Sequence, residues 1–281
     1  MIRRDAASFV AAHKMDHTRR DLIVEGVRDK AFLEWLLGVR MNKEAQIIIA
    51  DFIDVPDVTE GGNRARLLAF MTEIGSLADV QIFGFIDADH HRFLNPSPPL
   101  PSKVWITDHR DLESYVISVE NLDTALRAGC GLLTPSGSSV LASVIKVCRY
   151  LAGVRLVSER RELRLRVSAS KWIKHVSCEK GGAITLDREK MLEGLLQTSD
   201  HSLKMAVELQ TEISATESEL AGFVDRDVVH GKDFTAVLTK HLKTHGVNID
   251  SASRLLFSTF DRSSLCRYPS LSAVTEYLSV A

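Results

Sequence analysis

An α/β fold, a parallel sheet flanked by helices and followed by a mostly α-helical second half, is predicted by three observations. Short apolar runs alternate with helix-like stretches through the first half of the chain. Two of those runs end in acidic residues, at Glu25 and at Asp87 with Asp89. Beyond a stretch rich in glycine and serine, Gly129 to Ser139, the pattern becomes almost entirely helical. Alternation of the first kind suits a parallel sheet, because each crossover must carry a helix back over the sheet.

Asp21 to Val24 reads as the first strand, Glu25-Gly26 as a turn that glycine permits. Asp29 to Leu37 follows as a helix with Phe32, Leu33, Leu36 and Leu37 on one face, stopped by Gly38. Gln46 to Phe52 is a second strand and Asp57 to Gly62 a loop. Asn63 is an N-cap for a helix that carries Leu67, Leu68 and Met71 and ends near Gly75. Asp79 to Ile86 is the third strand. The prolines between Asn95 and Ser102 exclude helix and central strand and predict a stiff surface loop. Lys103 to Thr107 is a fourth strand and Leu112 to Leu126 a helix. Further on, Val140 to Leu151 is an apolar helix. Leu163 to Val167, where apolar residues alternate with arginine, is one extra strand. Arg188 to Gln197, His201 to Phe223, Lys232 to His245 and Ser251 to Phe260 complete the helices. The expected division is an α/β domain over 1–128 and a mostly helical domain over 129–281.

The chain has 281 residues, 45% of them hydrophobic, and a formal net charge of −2, so it can fill a large core and carries no global basic field. Binding of nucleic acid would need a local patch. Arg3-Arg4, Arg19-Arg20 and the run with Arg155, Arg160, Arg161, Arg164 and Arg166 are the candidates, although charge runs are commonly solvated surface. Cys130, Cys148, Cys178 and Cys266 are scattered without a Cys-x-x-Cys pair, which argues against a zinc knuckle and for free thiols in a reducing cytoplasm. Neither a signal peptide nor an apolar stretch long enough to span a bilayer is expected.

The acidic residues carry the chemistry. Glu25, Asp87 and Asp89 fall at the carboxyl ends of buried strands, where open α/β sheets place their ligands. Asp87 and Asp89, two apart on an extended segment, leave the same face. Three carboxylates brought together repel one another unless a cation joins them, and a hard divalent ion such as Mg²⁺ or Mn²⁺ suits oxygen ligands and phosphate chemistry. A simpler reading is that strand-end aspartates only cap loops.

The order of strand, Glu-Gly turn, helix, strand, Gly-rich loop, helix, strand and Asp-x-Asp resembles the Toprim fold of topoisomerases, bacterial primases and OLD-like nucleases. Val24 to Leu33 is similar to the first Toprim motif as OLD-like nucleases carry it, and Gly84 to Asp89 is similar to the second. Thr107 to Tyr115 and His230 to Phe234 look like segments of the stand-alone Toprim effectors encoded beside ABC-type ATPases in PARIS-type anti-phage systems. The resemblance implies a metal-dependent nuclease, a toxic effector that cuts tRNA or DNA and is held in check by an ABC-type ATPase partner. It implies Glu25 as general acid/base or metal ligand, and Asp87 and Asp89 as metal ligands. Glu113 would be a further acid and Lys232 a charge-neutralising group at the phosphate. Asp29 would cap its helix.

Other features give weaker signals. His90-His91 follow the aspartates and suit either a metal site or polar surface. A phosphohydrolase would instead want histidines spread over several helices. Gly231-Lys232 lacks the remaining glycine and hydroxyl residue of a P-loop. Tyr115, Tyr150, Tyr268 and Tyr277 have no winged-helix context, so a covalent tyrosine step is disfavoured. His175 and Cys178 lack further ligands, and Trp35 and Trp172 suit core. Leu203 to Phe223 has enough apolar positions to pack against a second copy or into its own core. A non-catalytic binding or regulatory subunit is the competing functional class, and a primase-like transferase a third.

Overall fold

The computed structural model describes residues 3–38, 41–55, 58, 62–94, 97 and 99–279. The chain divides into two compact units, Met1–Asp108 with Asp261–Ala281, and His109–Phe260. The first unit is α/β and holds a four-stranded parallel sheet. The predicted cut at 128/129 falls inside the second unit, because Val116, Ile117, Leu122 and Leu126 belong to that unit's hydrophobic core.

In the first unit the strands are β1 (Arg20–Val24), β2 (Ala45–Ile49), β3 (Ile82–Ile86) and β4 (Val104–Ile106), in the order β2-β1-β3-β4. All pairs are parallel, with Val24 opposite Ile49 on one side and Phe85 on the other. From β1 the chain crosses to β2 on one side and then to β3 on the other, so the sheet's switch point lies between β1 and β3. Ligands of open α/β sheets bind outside the carboxyl ends at such a point.

Helices α1 (Ala6–Met15) and α3 (Gly62–Ile74) cover one face, where Phe9, Leu67, Phe70 and Met71 pack with Ile23, Ile82 and Ile86. Gly84 lets α3 come close: a Cβ there would lie 2.9 Å from a Leu67 methyl. Helix α2 (Val27–Leu37) packs on β2. The C-terminal helix of the chain, Pro269–Leu278, returns to this unit and lays Tyr277 against the stacked rings of Phe83 and Trp105, which are 4.4 Å apart. The Tyr277 hydroxyl donates to the Gln81 carbonyl at 2.6 Å, and Arg20 donates to the Tyr277 carbonyl.

Several predicted bounds change. The second strand stops at Ile49 and turns as a 3-10 helix, Ala50–Phe52, since β1 has already turned away after Val24. Asp79 to Gln81 precede the ladder, which begins where Ile82 meets Asp21. Asn63 lies inside α3, not at its N-cap. The loop over Asp57 to Gly62 falls largely outside the described residues, as does part of the proline-rich segment.

The second unit contains α4 (Val119–Thr124), α5 (Gly137–Arg160), α6 (Ala169–Trp172), β5 (Val176–Cys178), β6 (Ile184–Leu186), α7 (Arg188–Thr198), α8 (Ala206–Leu220), α9 (Asp225–Val228), α10 (Gly231–Thr244) and α11 (Ala252–Thr259). Its core gathers on α5, with Val144, Cys148, Leu151 and Val154 against Leu209 and Ile213 of α8 and Phe234 and Leu238 of α10. The predicted helix Leu112 to Leu126 is broken. Asp111 caps a 3-10 turn over Leu112–Val116, then Ser118 accepts from the Asn121 N–H and starts α4 afresh. Leu163 to Val167 is no strand, since Glu162 and Arg164 have φ of 55° and 51° and hold the segment out of extended backbone. The strands of this unit are instead the antiparallel hairpin β5–β6. Leu209 and Ile213 face the unit's own core and Leu220 is buried, while Val207 is exposed, so core packing employs one side of α8. Cys130, Cys148 and Cys178 are free thiols. Among the described residues no helix is long and apolar enough to cross a membrane.

Gly231 is closely approached in this unit: a Cβ there would lie 2.3 Å from the Glu113 Cβ and 2.7 Å from Asp111 Oδ1. Gly231→Ala is therefore expected to destabilise the protein by about 1–3 kcal/mol, read as a lower urea midpoint. An unchanged midpoint would show that the Glu113 turn yields freely.

Candidate functional site

The acidic residues of the first unit meet through one arginine. Arg64 lies in the first turn of α3, and its Nη1 donates to Glu25 Oε1 at 3.3 Å, to the Asp87 carbonyl oxygen at 2.7 Å and to Asp89 Oδ2 at 3.0 Å. Glu25 follows β1 and Asp87 follows β3, so the adjacent pairing of those strands brings them together at the switch point. The Asp87 N–H donates to Glu25 Oε1 at 3.2 Å.

Local structure fixes each partner. The Asp29 carboxylate accepts from the Gly26 N–H at 2.8 Å and sets the turn that leads from Glu25 into α2. Gly26 has φ −152°, which any residue adopts, so the turn does not depend on glycine's conformational freedom. Asn63 donates to the Glu25 carbonyl and accepts from Arg66, which also reaches Asp51; together they seat the start of α3 on the ends of β1 and β2. On the other side the Ala88 N–H donates to the buried Thr107 hydroxyl at 2.8 Å. Asp89 then takes φ 44°, a left-handed conformation that aspartate tolerates better than most residues. The segment is thus not extended through Asp89, as the sequence reading assumed. It turns there and brings the Asp89 carboxylate back to Arg64. His90 is buried and His91 half-buried in the 3-10 turn that follows.

The expected meeting of three carboxylates is met in a different form. Two carboxylates, from Glu25 and Asp89, share the guanidinium, while Asp87 reaches it through its backbone oxygen. Among the described residues no group of three His, Cys, Asp or Glu side chains is arranged to hold a metal ion. The donors that do converge are all oxygens, the kind a hard divalent cation takes. Three oxygens already surround a positively charged nitrogen, and Mg²⁺ commonly takes one or two carboxylates and keeps several waters.

Burial pushes the Glu25 carboxyl up from its ordinary 4.5 to about 7, Arg64 pulling against this and Asp89 adding to it. Glu25 therefore changes protonation near neutral pH, as a proton-transferring group must.

Arg64 is the functional candidate that the sequence reading missed. Its signal is a positive charge in the first turn of a helix, where the dipole disfavours it.

Glu113 and Lys232 lie in the second unit. Glu113 is 8% exposed in the 3-10 turn after Asp111, with Gly231 packed on it; Lys232, the next residue, is exposed. Asp111 accepts from the Gly231 N–H at 2.7 Å and the Ser114 N–H at 2.9 Å, and its burial raises its pKa. Asp233 pairs with Arg155. The basic run is largely neutralised within the same unit, with Arg160 on Glu219 and Arg161 on Glu208 and Glu212. Arg164 and Arg166 remain exposed. Arg19 is likewise engaged, by Asp21 at 2.9 Å.

Compared with protein-family models and with curated protein sequences, the chain matches none.

Glu25 gives a pH signature. Its folded-state pKa lies above the unfolded value, so the folded protein holds this proton more tightly. The resulting stability is present below about pH 4.5 and is lost as the pH rises through about 7. Without divalent ions, wild type should lose thermal stability relative to Glu25→Gln between pH 5 and pH 8. A difference between the two that stays flat across that range contradicts the shift.

Proposed function

We propose that this chain is a metal-dependent, Toprim-like nuclease that hydrolyses nucleic-acid phosphodiesters, RNA and tRNA in particular. The observation that carries the reading is the oxygen nest around Arg64 Nη1, built from Glu25, Asp87 and Asp89 at the carboxyl ends of two adjacent parallel strands. The motif likeness of Val24 to Leu33 and Gly84 to Asp89 supports it. The likeness of Thr107 to Tyr115 and His230 to Phe234 supports a narrower role as the toxic effector of an anti-phage system governed by an ABC-type ATPase.

Glu25, Asp87 and Asp89 would hold Mg²⁺ or Mn²⁺. Such an ion supplies Lewis-acid polarisation of a phosphodiester and acidifies water beside it. Where Asp87 and Asp89 alone hold the ion, Glu25, whose carboxyl titrates near neutrality while no ion is bound, would accept a proton from the attacking water or return one to the leaving oxygen. Asp89 is held in place by its turn at the Thr107-braced loop, so the acid pair is set before substrate arrives. Glu113 and Lys232 enter this account through the motif likeness, as a further acid and a phosphate-neutralising cation.

One observation favours a non-catalytic binding or regulatory subunit. Two carboxylates rather than three converge, and an arginine already balances them. Purified protein with Mg²⁺ or Mn²⁺ and mixed tRNA and plasmid substrates separates the two. The nuclease reading predicts metal-stimulated cutting that falls at least about 100-fold in Glu25→Gln and in Asp89→Asn, the size expected when a group acting in the transition state is removed. Folding of both variants is checked by circular dichroism. Cutting by well-folded Glu25→Gln at the wild-type rate, or no cutting by wild type on any substrate, overturns it.

A further inference from the structure

Arg64 is more than a counter-charge. Nη1 carries two hydrogens and faces three oxygens, so this corner of the guanidinium is fully engaged by Glu25, Asp87 and Asp89. Among the described residues Nε and Nη2 donate to no protein acceptor. The side chain is 26% exposed, so water reaches it. One edge of the fork thus holds the acid pair, and among the described residues the rest meets no protein acceptor. Planar forks of this kind bind phosphate oxygens in pairs, which a lysine ammonium does not reproduce.

The helix position agrees. A cation in the first turn of α3 opposes the dipole, and its interaction with Glu25 and Asp89 offsets that cost. Asn63 and Arg66, its neighbours, brace the start of α3 against Glu25 and Asp51, which helps fix where Arg64 projects. A divalent ion entering the oxygen nest would compete with Nη1 for the same three atoms.

We propose that Arg64 is the phosphodiester-binding residue of this site: it holds Glu25 and Asp89 in register in the metal-free protein, yields the oxygen nest to the divalent ion, and grips the phosphate beside it with its fork. This rests on the nuclease reading above.

The test uses full-length wild type, Arg64→Lys and Arg64→Gln, with thermal unfolding as the folding control. Mn²⁺ binding is followed by electron paramagnetic resonance without substrate. Binding of a fluorescein-labelled RNA 12-mer is followed by anisotropy in Ca²⁺, and cleavage of the same RNA in Mn²⁺. Arg64→Gln should bind Mn²⁺ on the order of 10-fold more tightly, because a competing positive charge is gone. Arg64→Lys should stay close to wild type in Mn²⁺ affinity. Both should bind the 12-mer less tightly and lose about 100-fold in kcat, since neither offers the fork. Weaker Mn²⁺ binding by Arg64→Gln would show that the arginine does not compete with the ion for the oxygen nest and would overturn the proposal. RNA affinity and kcat at wild-type levels in Arg64→Lys would also overturn it while leaving the nuclease reading intact. Wild type that binds Mn²⁺ but neither binds nor cuts the RNA sinks the nuclease reading itself, and this inference with it.

Discussion

Two carboxylates that meet in a partly buried pocket beyond adjacent parallel strands need a positive charge or a retained proton between them. That constraint organises the first unit. β1 and β3 are neighbours, so the residues just past them, Glu25 and Asp87, are brought together whatever they are. Arg64 supplies the charge from the start of α3, and the contacts of Asn63 and Arg66 serve to place it. The raised pKa of Glu25 follows from the same geometry. Burial outweighs the nearby guanidinium, and Asp89 pushes in the same direction as burial.

The sheet and the positions of its acids were legible because both depend on local signals. Apolar runs of strand length ending in Glu25 and Asp87 announce buried parallel strands with polar tips, and α2 lies where its apolar stripe and Gly38 put it. Arg64 was not legible, since an arginine following a presumed N-cap at Asn63 looks like ordinary surface. The return of the C-terminal helix to the sheet was hidden for a different reason. It depends on Tyr277 meeting Phe83 and Trp105, and no local pattern encodes contacts so distant in sequence. The break at Ser118 was missed because its side chain competes with the helix by capping a new one.

In the second unit the motif residues have clear structural employment. Gly231 is required by the close approach of Glu113, Asp111 ties the start of α10 to the 3-10 turn over Leu112–Val116, and Asp233 receives Arg155. Packing explains the glycine, hydrogen bonds explain Asp111 and an ion pair explains Asp233. Lys232 is exposed at the start of α10, and a catalytic part for it rests on the motif likeness. The basic run shows the same lesson. Much of what looks in sequence like a nucleic-acid patch is an ion-pair network with the acidic face of α8.

The central claim is that the oxygen atoms around Arg64 Nη1 form a divalent-cation site. Anomalous diffraction from crystals soaked in Mn²⁺ tests it most directly. A manganese peak is expected within bonding distance of Glu25 and Asp89, with the Arg64 guanidinium displaced from the position that Nη1 holds between them. Manganese absent from that position at saturating concentration, with Arg64 still bridging Glu25 and Asp89, would contradict it.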